Sequence, residues 1–299
     1  MNGTLPLAYA TPAQASSWKR WLVYSPLARI AIFLLLFLVL NRSSSALFHV
    51  LMQGMAKSPM KSALGYLVVV LVPAVVTYAF LVRVVERRRL DELALRRWPD
   101  ALRGLLAGSL LFSTVVGTLW LLGSYHVVGF NSHADWLPSL LLAGIGAGIA
   151  EEILFRGVLF RITEEGLGTW AALLISALFF GFAHASNPGA TVWSSTAIAI
   201  EAGLLFGLLY HVTRSLPICM GLHAAWNFCQ GTVYGIPVSG LKADGWLVST
   251  RTGPDWLSGG VFGAEASVVA MALCLLCSTA LLAVALRRRS LVPPGWRRR

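Results

Sequence analysis

The sequence EEILFR, residues 151–156, is the most informative segment of this chain. It interrupts a run that is otherwise apolar, since residues 136–150 contain one serine as their only polar side chain and residues 157–160 are apolar again. A carboxylate inside a membrane-spanning segment costs about 3 kcal/mol on insertion scales. Two adjacent carboxylates in such a segment therefore indicate a functional site.

Helical geometry assigns different surroundings to the two carboxylates. Glu152 and Arg156 are four residues apart and share one helix face, so we expect them to form an ion pair. Glu151 points about 100° away from Glu152. The pattern therefore predicts one carboxylate that is neutralised by its own helix and one that is free for chemistry.

The composition is that of a polytopic membrane protein. The 299-residue chain is 57% hydrophobic and 12% charged, whereas soluble domains carry roughly 25% charged residues. Long apolar runs predict an all-α fold of about eight transmembrane helices. The expected spans are residues 21–40, 62–82, 104–128, 136–163, 169–184, 191–212, 216–230 and 261–286.

The distribution of positive charge predicts the orientation. The net charge is +11, but the basic residues cluster at the ends of apolar runs, which favours lipid headgroups over nucleic acid as their partners. With eight spans and a cytoplasmic N-terminus, most arginines and lysines fall on the cytoplasmic side, as the positive-inside rule requires. Both termini are therefore expected in the cytoplasm, and residues 83–103, with seven arginines, are expected to form an amphipathic surface helix.

Two further polar patterns follow in predicted spans. The first is Phe180-x-x-x-His184, and the second is His223-x-x-x-Asn227; each pair lies on one helix face because its members are four apart. Glu151 lies about 20 Å before the turn at residues 164–168 and His184 about 24 Å beyond it. Since the two helices are antiparallel across this turn, we expect Glu151 and His184 at similar depth.

These side chains suggest two chemistries. Glu151 and His184 can share a water molecule, with the carboxylate accepting its proton, while His223 and Asn227 can stabilise an oxyanion. The alternative is a Zn²⁺ site with Glu151, His184 and His223 as ligands and a fourth position for water. The spacing does not decide between the metal-free and the zinc-dependent site.

The three motifs Glu-Glu-x-x-x-Arg, Phe-x-x-x-His and His-x-x-x-Asn, in this order in a polytopic chain, resemble the CAAX protease and bacteriocin-processing (CPBP) family of intramembrane endopeptidases. That family includes the Ras-converting prenyl-protein endopeptidase. The resemblance covers residues 137–230. It implies a core of eight helices, a cavity open to the cytoplasm and a glutamate-activated water that cleaves a peptide bond, without a cofactor unless the zinc alternative holds.

The resemblance also implies roles for particular residues. Glu151 corresponds to the general base and His184 to its partner, while His223 and Asn227 correspond to the oxyanion-side pair. Supporting roles fall to Glu152, Arg156 and Phe180. We accordingly divide the chain into an N-terminal part (1–130), a catalytic core (131–230) and a C-terminal part (231–299).

The expected substrate is a membrane-associated or lipid-modified peptide tail, and the expected location is a bacterial cytoplasmic membrane. The competing functions are a proton-coupled transporter, which would also bury Glu and His residues, and a non-catalytic membrane scaffold. Outside the motifs, Glu201 is expected either to line the cavity or to pair with a histidine. Glu164 and Glu165 are expected in a solvated turn, and His211 at the membrane interface.

Overall fold

The computed structural model describes residues 7–298 and is mostly helical. Within these residues, six helices are long and apolar enough to cross a membrane. They are α2 (Pro26–Leu51), α3 (Pro59–Val85), α4 (Leu95–Leu121), α5 (Trp136–Leu167), α7 (Val192–Thr213) and α10 (Val268–Arg287). The short helix α1 (Ser17–Leu22) precedes them. The prediction of an all-α polytopic membrane protein is confirmed.

The fifth and seventh predicted spans are present as shorter apolar helices. They are α6 (Thr169–Ala183) and α8 (Leu216–Phe228), the latter continuing in wider turns over Cys229–Val233. Helix α6 contains 15 residues and is therefore about 22 Å long. The hydrocarbon layer of a bilayer is about 30 Å thick, so a helix of this length is too short to cross it alone. Non-helical backbone at membrane depth occurs where protein buries it or where it lines a hydrated cavity.

The two ends of the helix bundle differ in charge. One end of the bundle contains the first residues of α2 and α6 and the last residues of α3 and α5. There, Arg29 binds Glu86 at 2.8 Å and Glu165 at 2.7 Å. Arg161 binds the same two carboxylates at 2.9 and 3.1 Å. We call this the arginine-rich end. The buried ion network closes the space between α2, α3 and α5 at this end.

This network corrects the predicted solvated turn. Glu164 and Glu165 are buried, at 1% and 8% exposure, because α5 continues to Leu167 and the turn falls at Gly168. Glu164 accepts hydrogen bonds from Thr169 and Arg214 and contacts His211 at 2.6 Å. The interfacial position expected for His211 is therefore also wrong, since its imidazole is buried between this carboxylate and Ser290.

The predicted surface helix over residues 83–103 is wrong as well. The segment instead forms a short 3-10 turn, Asp91–Leu93, and then the start of α4. Two of its carboxylates are buried and bind Arg88: Glu86 at 2.7 Å and Glu92 at 2.8 Å. These ion pairs favour a compact turn over an extended amphipathic helix.

The opposite end carries a small antiparallel sheet, and we call it the sheet end. Strand β1 (Tyr125–Phe130) pairs with β2 (Leu247–Arg251). The prediction that the third span reaches residue 128 is thus wrong: α4 ends at Leu121, and Gly123, with φ of 69°, turns the chain into the strand. The Gly-rich segment after α8 is likewise ordered, with β2 and a short helix, α9 (Asp255–Ser258).

Glycines allow helix α8, which carries the third motif, to pack closely on α4 and α5. A Cβ atom at Gly104 or Gly108 would overlap backbone atoms of α8, and one at Gly148 would lie 3.1 Å from the Ala224 nitrogen. Small residues at such contacts are typical of membrane helix pairs. This packing fixes His223 against the helix that carries the two glutamates.

Candidate active site

The two glutamates lie on one short α-helical turn of α5. Residues Gly148–Glu152 are flanked by the wider π-helical segments Leu140–Ala147 and Ile153–Phe160. Wide turns of this kind occur frequently at functional sites because they redirect side chains. Here they leave Glu152 fully buried, whereas the Glu151 side chain retains 25% exposure.

Glu152 is the structural member of the pair. One of its oxygens accepts a hydrogen bond from the Arg156 Nη1 at 3.0 Å and lies 2.9 Å from the His223 Nδ1. The predicted Glu152–Arg156 pair is therefore present, with the third-motif histidine as an additional partner. The sequence pattern did not reveal this contact, because it joins two helices 71 residues apart along the chain.

Arg156 connects three helices at the site. Besides Glu152 it donates to the Ala202 carbonyl of α7 at 2.9 Å. Its guanidinium carbon lies 4.5 Å from the ring centre of Phe180 on α6 and 4.9 Å from that of Phe206 on α7. Planar stacking and directed donation are properties of arginine that lysine lacks. Phe180 thus supports the site through this contact.

Glu151 and His184 face each other across a gap. The Glu151 Oε2 lies 4.0 Å from the His184 Nε2. This is too long for a direct hydrogen bond, and it is compatible with a water molecule between the two groups. The expected similar depth of these residues is borne out by the contact.

The backbone sets the tautomer of His184. Its Nδ1 lies 2.8 Å from the Phe180 carbonyl oxygen. Because a carbonyl can only accept, Nδ1 carries the hydrogen and the neutral ring presents an unprotonated Nε2 towards Glu151. The four-residue spacing of the motif thus provides the acceptor that orients the imidazole.

His223 and Asn227 lie on the same face of α8, as predicted. The Asn227 amide nitrogen donates to the Ala143 carbonyl at 2.9 Å, while the His223 ring stacks on Phe206 with a centroid distance of 5.4 Å. Both residues are 7% exposed. Their assignment to an oxyanion site stays a prediction.

Two cavities meet at His184. One, of about 240 Å³, is mainly apolar and is lined by Phe33, Tyr66, Glu151 and Asn187 among others. The other, of about 30 Å³, is the smaller cavity, with His223, Asn227, Glu201 and Glu265 in its wall. Of the described residues, His184 alone lines both cavities.

The smaller cavity contains a residue that the motifs did not identify. Glu265 comes from a 3-10 turn at the sheet end, Ala264–Ala266, and is 3% exposed. The sequence placed Glu265 inside the eighth predicted span, 261–286, but α10 begins only at Val268, so the fold reveals its position. Glu201 was expected to line the cavity or pair with a histidine, and it lines the cavity.

The alternative Zn²⁺ site requires Glu151, His184 and His223 to converge on one point. Within residues 7–298, no three His, Cys, Asp or Glu side chains are grouped so that they could hold a metal ion. The His223 Nδ1 faces Glu152, not Glu151. The described side chains therefore do not fit the proposed zinc site, and whether the protein requires a cofactor stays a prediction to be tested.

The fold and this cluster define a polytopic helical membrane protein with an acid–base site between its helices. Residues 133–229 match the family model of the type II CAAX prenyl endopeptidase Rce1-like proteins. The match contains all three motifs and confirms the resemblance to the CAAX protease family. This part of the chain is therefore similar to membrane endopeptidases of the CAAX protease type. No curated protein matches this chain.

Proposed function

We propose that this protein is an intramembrane endopeptidase in which Glu151 activates a water molecule to cleave a membrane-associated peptide. The observation that carries the proposal is the gap between the Glu151 Oε2 and the His184 Nε2, which lies at the wall of a largely apolar cavity. A general base needs to reach its proton directly or through one water.

The proposed reaction assigns the steps to residues of this site. Glu151 takes a proton from the water, whose oxygen attacks the peptide carbonyl carbon. His184, oriented by the Phe180 carbonyl, then receives this proton from Glu151 at Nε2 and gives it to the leaving amine as the C–N bond breaks. The products are a carboxyl terminus and an amine, so the reaction consumes one water and needs no further reactant.

Neighbouring residues would support these steps without taking part in bond changes. Glu152, held by Arg156 and His223, fixes the helix turn that presents Glu151. Asn227 and the remaining imidazole nitrogen of His223 would donate hydrogen bonds to a developing oxyanion. Each general acid–base group typically contributes about 10²–10⁴-fold to the rate.

The apolar cavity supports a lipid-modified or apolar substrate segment. Its lining includes Phe33 and Phe37 of α2, Tyr66 and Val70 of α3, and Leu154 of α5. A cavity with such walls suits an acyl or prenyl chain, or apolar side chains, next to the scissile bond. We propose a bacterial cytoplasmic membrane as the location, where such tails are anchored.

Reconstitution in liposomes tests the function. The purified protein is mixed with a membrane-anchored peptide, with and without a farnesyl group, while an entrapped pH dye records proton flux. We expect cleavage without flux, loss of cleavage in Glu151→Gln, and retention in Asp91→Asn, a substitution at an exposed ion pair. Proton flux that disappears in Glu151→Gln, without any cleavage, would instead establish a transporter.

The metal requirement needs a separate measurement. Metal analysis of the active protein and treatment with a chelator give the two readouts. We expect activity to survive chelation. About one zinc per chain, with activity lost on chelation and restored by zinc, would overturn the metal-free reaction.

A further inference from the structure

Glu201 is a buried carboxyl group that the reaction above does not use. It lies in the π-helical segment Ala199–Leu204 of α7, is 2% exposed and lines the smaller cavity. Its Oε2 is buried and has no hydrogen-bond partner among the described residues. Because buried polar atoms are normally hydrogen-bonded, an unpaired one beside a cavity points to a proton or a water molecule that satisfies it.

Glu265 is a second carboxyl group in the wall of the same cavity. One of its oxygens accepts a hydrogen bond from the Ser239 backbone N–H at 2.5 Å. Burial raises its pKa, although Ser239 and His184 act in the opposite direction. Glu265 is therefore held in place by the sheet-end loops, with its charge towards the cavity and His184.

No cation neutralises this carboxyl pair. Within residues 7–298, neither Glu201 nor Glu265 takes part in an ion pair, unlike Glu152 and Glu164. The other titratable groups around the pair are His184, His223, Cys274 and Arg251. The Arg251 guanidinium donates to the Ser258 carbonyl at 3.0 Å and forms no ion pair with Glu265. An isolated buried carboxylate is very unfavourable and is neutralised by a proton instead.

The cavity is large enough for water. Its volume of about 30 Å³ compares with about 10–15 Å³ for one water by this measure. A buried water needs two to four polar partners, and His184, Asn227, Glu201 and Glu265 are all in the wall. The space therefore fits one or two hydrogen-bonded waters.

We propose that Glu201 and Glu265 form a positioning pair that shares one proton and holds water behind His184. The proton resides mainly on Glu201, which receives no hydrogen bond at Oε2, whereas Glu265 stays ionised because the Ser239 N–H stabilises its charge. The pair thus carries one negative charge. This charge stabilises the His184 imidazolium that forms when Nε2 receives the proton that Glu151 has taken from the water.

The kinetic role rests on the proposed endopeptidase function, whereas the shared proton does not. Infrared spectroscopy detects a protonated carboxyl group directly, by its C=O stretch, in protein without substrate. At neutral pH we expect this band in the wild type and in Glu265→Gln, and its loss in Glu201→Gln. A wild type without the band, or a band that survives Glu201→Gln, would overturn the shared proton.

Activity measurements test the coupling to His184. Glu265→Gln is expected to lower kcat by roughly tenfold with KM unchanged, and to shift the acidic limb of the pH profile down by about one unit, since the imidazole that must start neutral loses a neighbouring negative charge. Glu265→Asp should restore most of the activity because it restores the charge. An unchanged pH profile in Glu265→Gln would contradict the role.

Failure of the proposed function and failure of the carboxyl pair give different results. If the wild type cleaves no peptide but shows the infrared band that depends on Glu201, the proposed function fails and the carboxyl pair stands. If the wild type cleaves peptide and the band is absent, the pair fails and the proposed function stands.

Discussion

Two adjacent glutamates of one helix occupy opposite kinds of environment. Glu152 is fully buried and joined to Arg156 and His223, whereas Glu151 is partly exposed and faces His184 across 4.0 Å. The difference arises from the angle of about 100° between successive side chains of a helix. Glu152 therefore stabilises the packing of the helices, and Glu151 is available for chemistry.

This division predicts opposite effects of the same substitution. Glu152→Gln removes the charge that neutralises the buried Arg156, and breaking such a pair costs about 3–5 kcal/mol of stability. Glu151→Gln loses no hydrogen bond within the described protein and should unfold at nearly the wild-type temperature while lacking activity. Thermal unfolding in detergent measures both; a Glu151→Gln protein that is the less stable of the two would contradict the assignment.

The residue-level site was predictable from sequence only where partners lie within one helix. The Glu152–Arg156 pair and the Phe180–His184 contact follow from a spacing of four residues. The contacts of His223 with Glu152 and of Asn227 with Ala143 depend on how α8 packs on α5. No spacing within a motif contains that information, and Glu265 lies outside every motif.

At the scale of elements, close packing of α4 on α8 holds the third motif in place. A Cβ atom at Gly108 would overlap the Leu222 backbone, next to His223. Gly117 lies on the same helix α4 and has no atom within 4 Å of its Cβ position. The two glycines thus form a matched pair.

Substitution of this matched pair tests the packing. Gly108→Ala should destabilise the protein by about 1–3 kcal/mol through overpacking and reduce activity by displacing His223. Gly117→Ala should be neutral or slightly stabilising, because alanine is the better helix former. Equal unfolding temperatures for the two variants would show that α4 and α8 are not in close contact.

The ion network at the arginine-rich end connects α2, α3 and α5 and gives stability a pH dependence. Although burial raises the pKa of Glu86, the guanidinium groups of Arg161, Arg88 and Arg29 hold it below its ordinary value of 4.5. A group whose pKa is lower in the folded state binds more protons when unfolded. Its contribution to stability is therefore present above pH of about 4.5 and is lost as the pH falls through the folded-state pKa.

Acid unfolding of Glu86→Gln tests this contribution. At neutral pH the variant should be less stable than the wild type by about 3–5 kcal/mol, since buried arginines lose their partner. Below the ordinary glutamate pKa its stability should fall less steeply with pH. Asp91→Asn, at an exposed pair with Arg96, serves as the control with little effect expected. Parallel acid unfolding curves for Glu86→Gln and wild type would contradict the role of Glu86.

Element boundaries were predictable where apolar runs end in caps or charges, and less so elsewhere. Helices α6, α7 and α8 begin within a residue or two of their predicted starts. Residues 125–128 of strand β1 were assigned to the third predicted span, 104–128. These residues are mostly apolar, and the partner strand β2 lies over a hundred residues later in the chain. The charged segments 83–103 and 164–165 were predicted to lie at the membrane surface or in solvent. A sequence does not show the distant arginines that pair with Glu86 and Glu164.

At the scale of the whole molecule, the site lies nearer the sheet end than the arginine-rich end. His184 follows the last turn of α6, and Asn187 and Ser239 beyond it are joined by a hydrogen bond of 3.0 Å. The arginine-rich end is closed by buried ion pairs. The positive-inside rule predicts that this end lies in the cytoplasm, which would place the site nearer the outer surface. The family resemblance implies a cytoplasmic opening instead.

Cysteine labelling distinguishes the two orientations. Lys242 at the sheet end and Arg289 at the arginine-rich end are both exposed. With the orientation that the charges predict, an impermeant maleimide added to intact cells should label Lys242→Cys, and Arg289→Cys only after the membrane is opened. The reverse pattern would show that the charge-based orientation is wrong and that the site faces the cytoplasm.

The most direct test of the central claim, that Glu151 serves proteolysis, is a map of peptide termini in the membrane proteome of the host. Wild type, a deletion strain and Glu151→Gln are compared, with expression of the variant verified. We predict termini that are present in the wild type and absent from both other strains, which would also identify the substrate. Identical maps in all three strains would contradict the claim and favour a transporter or scaffold.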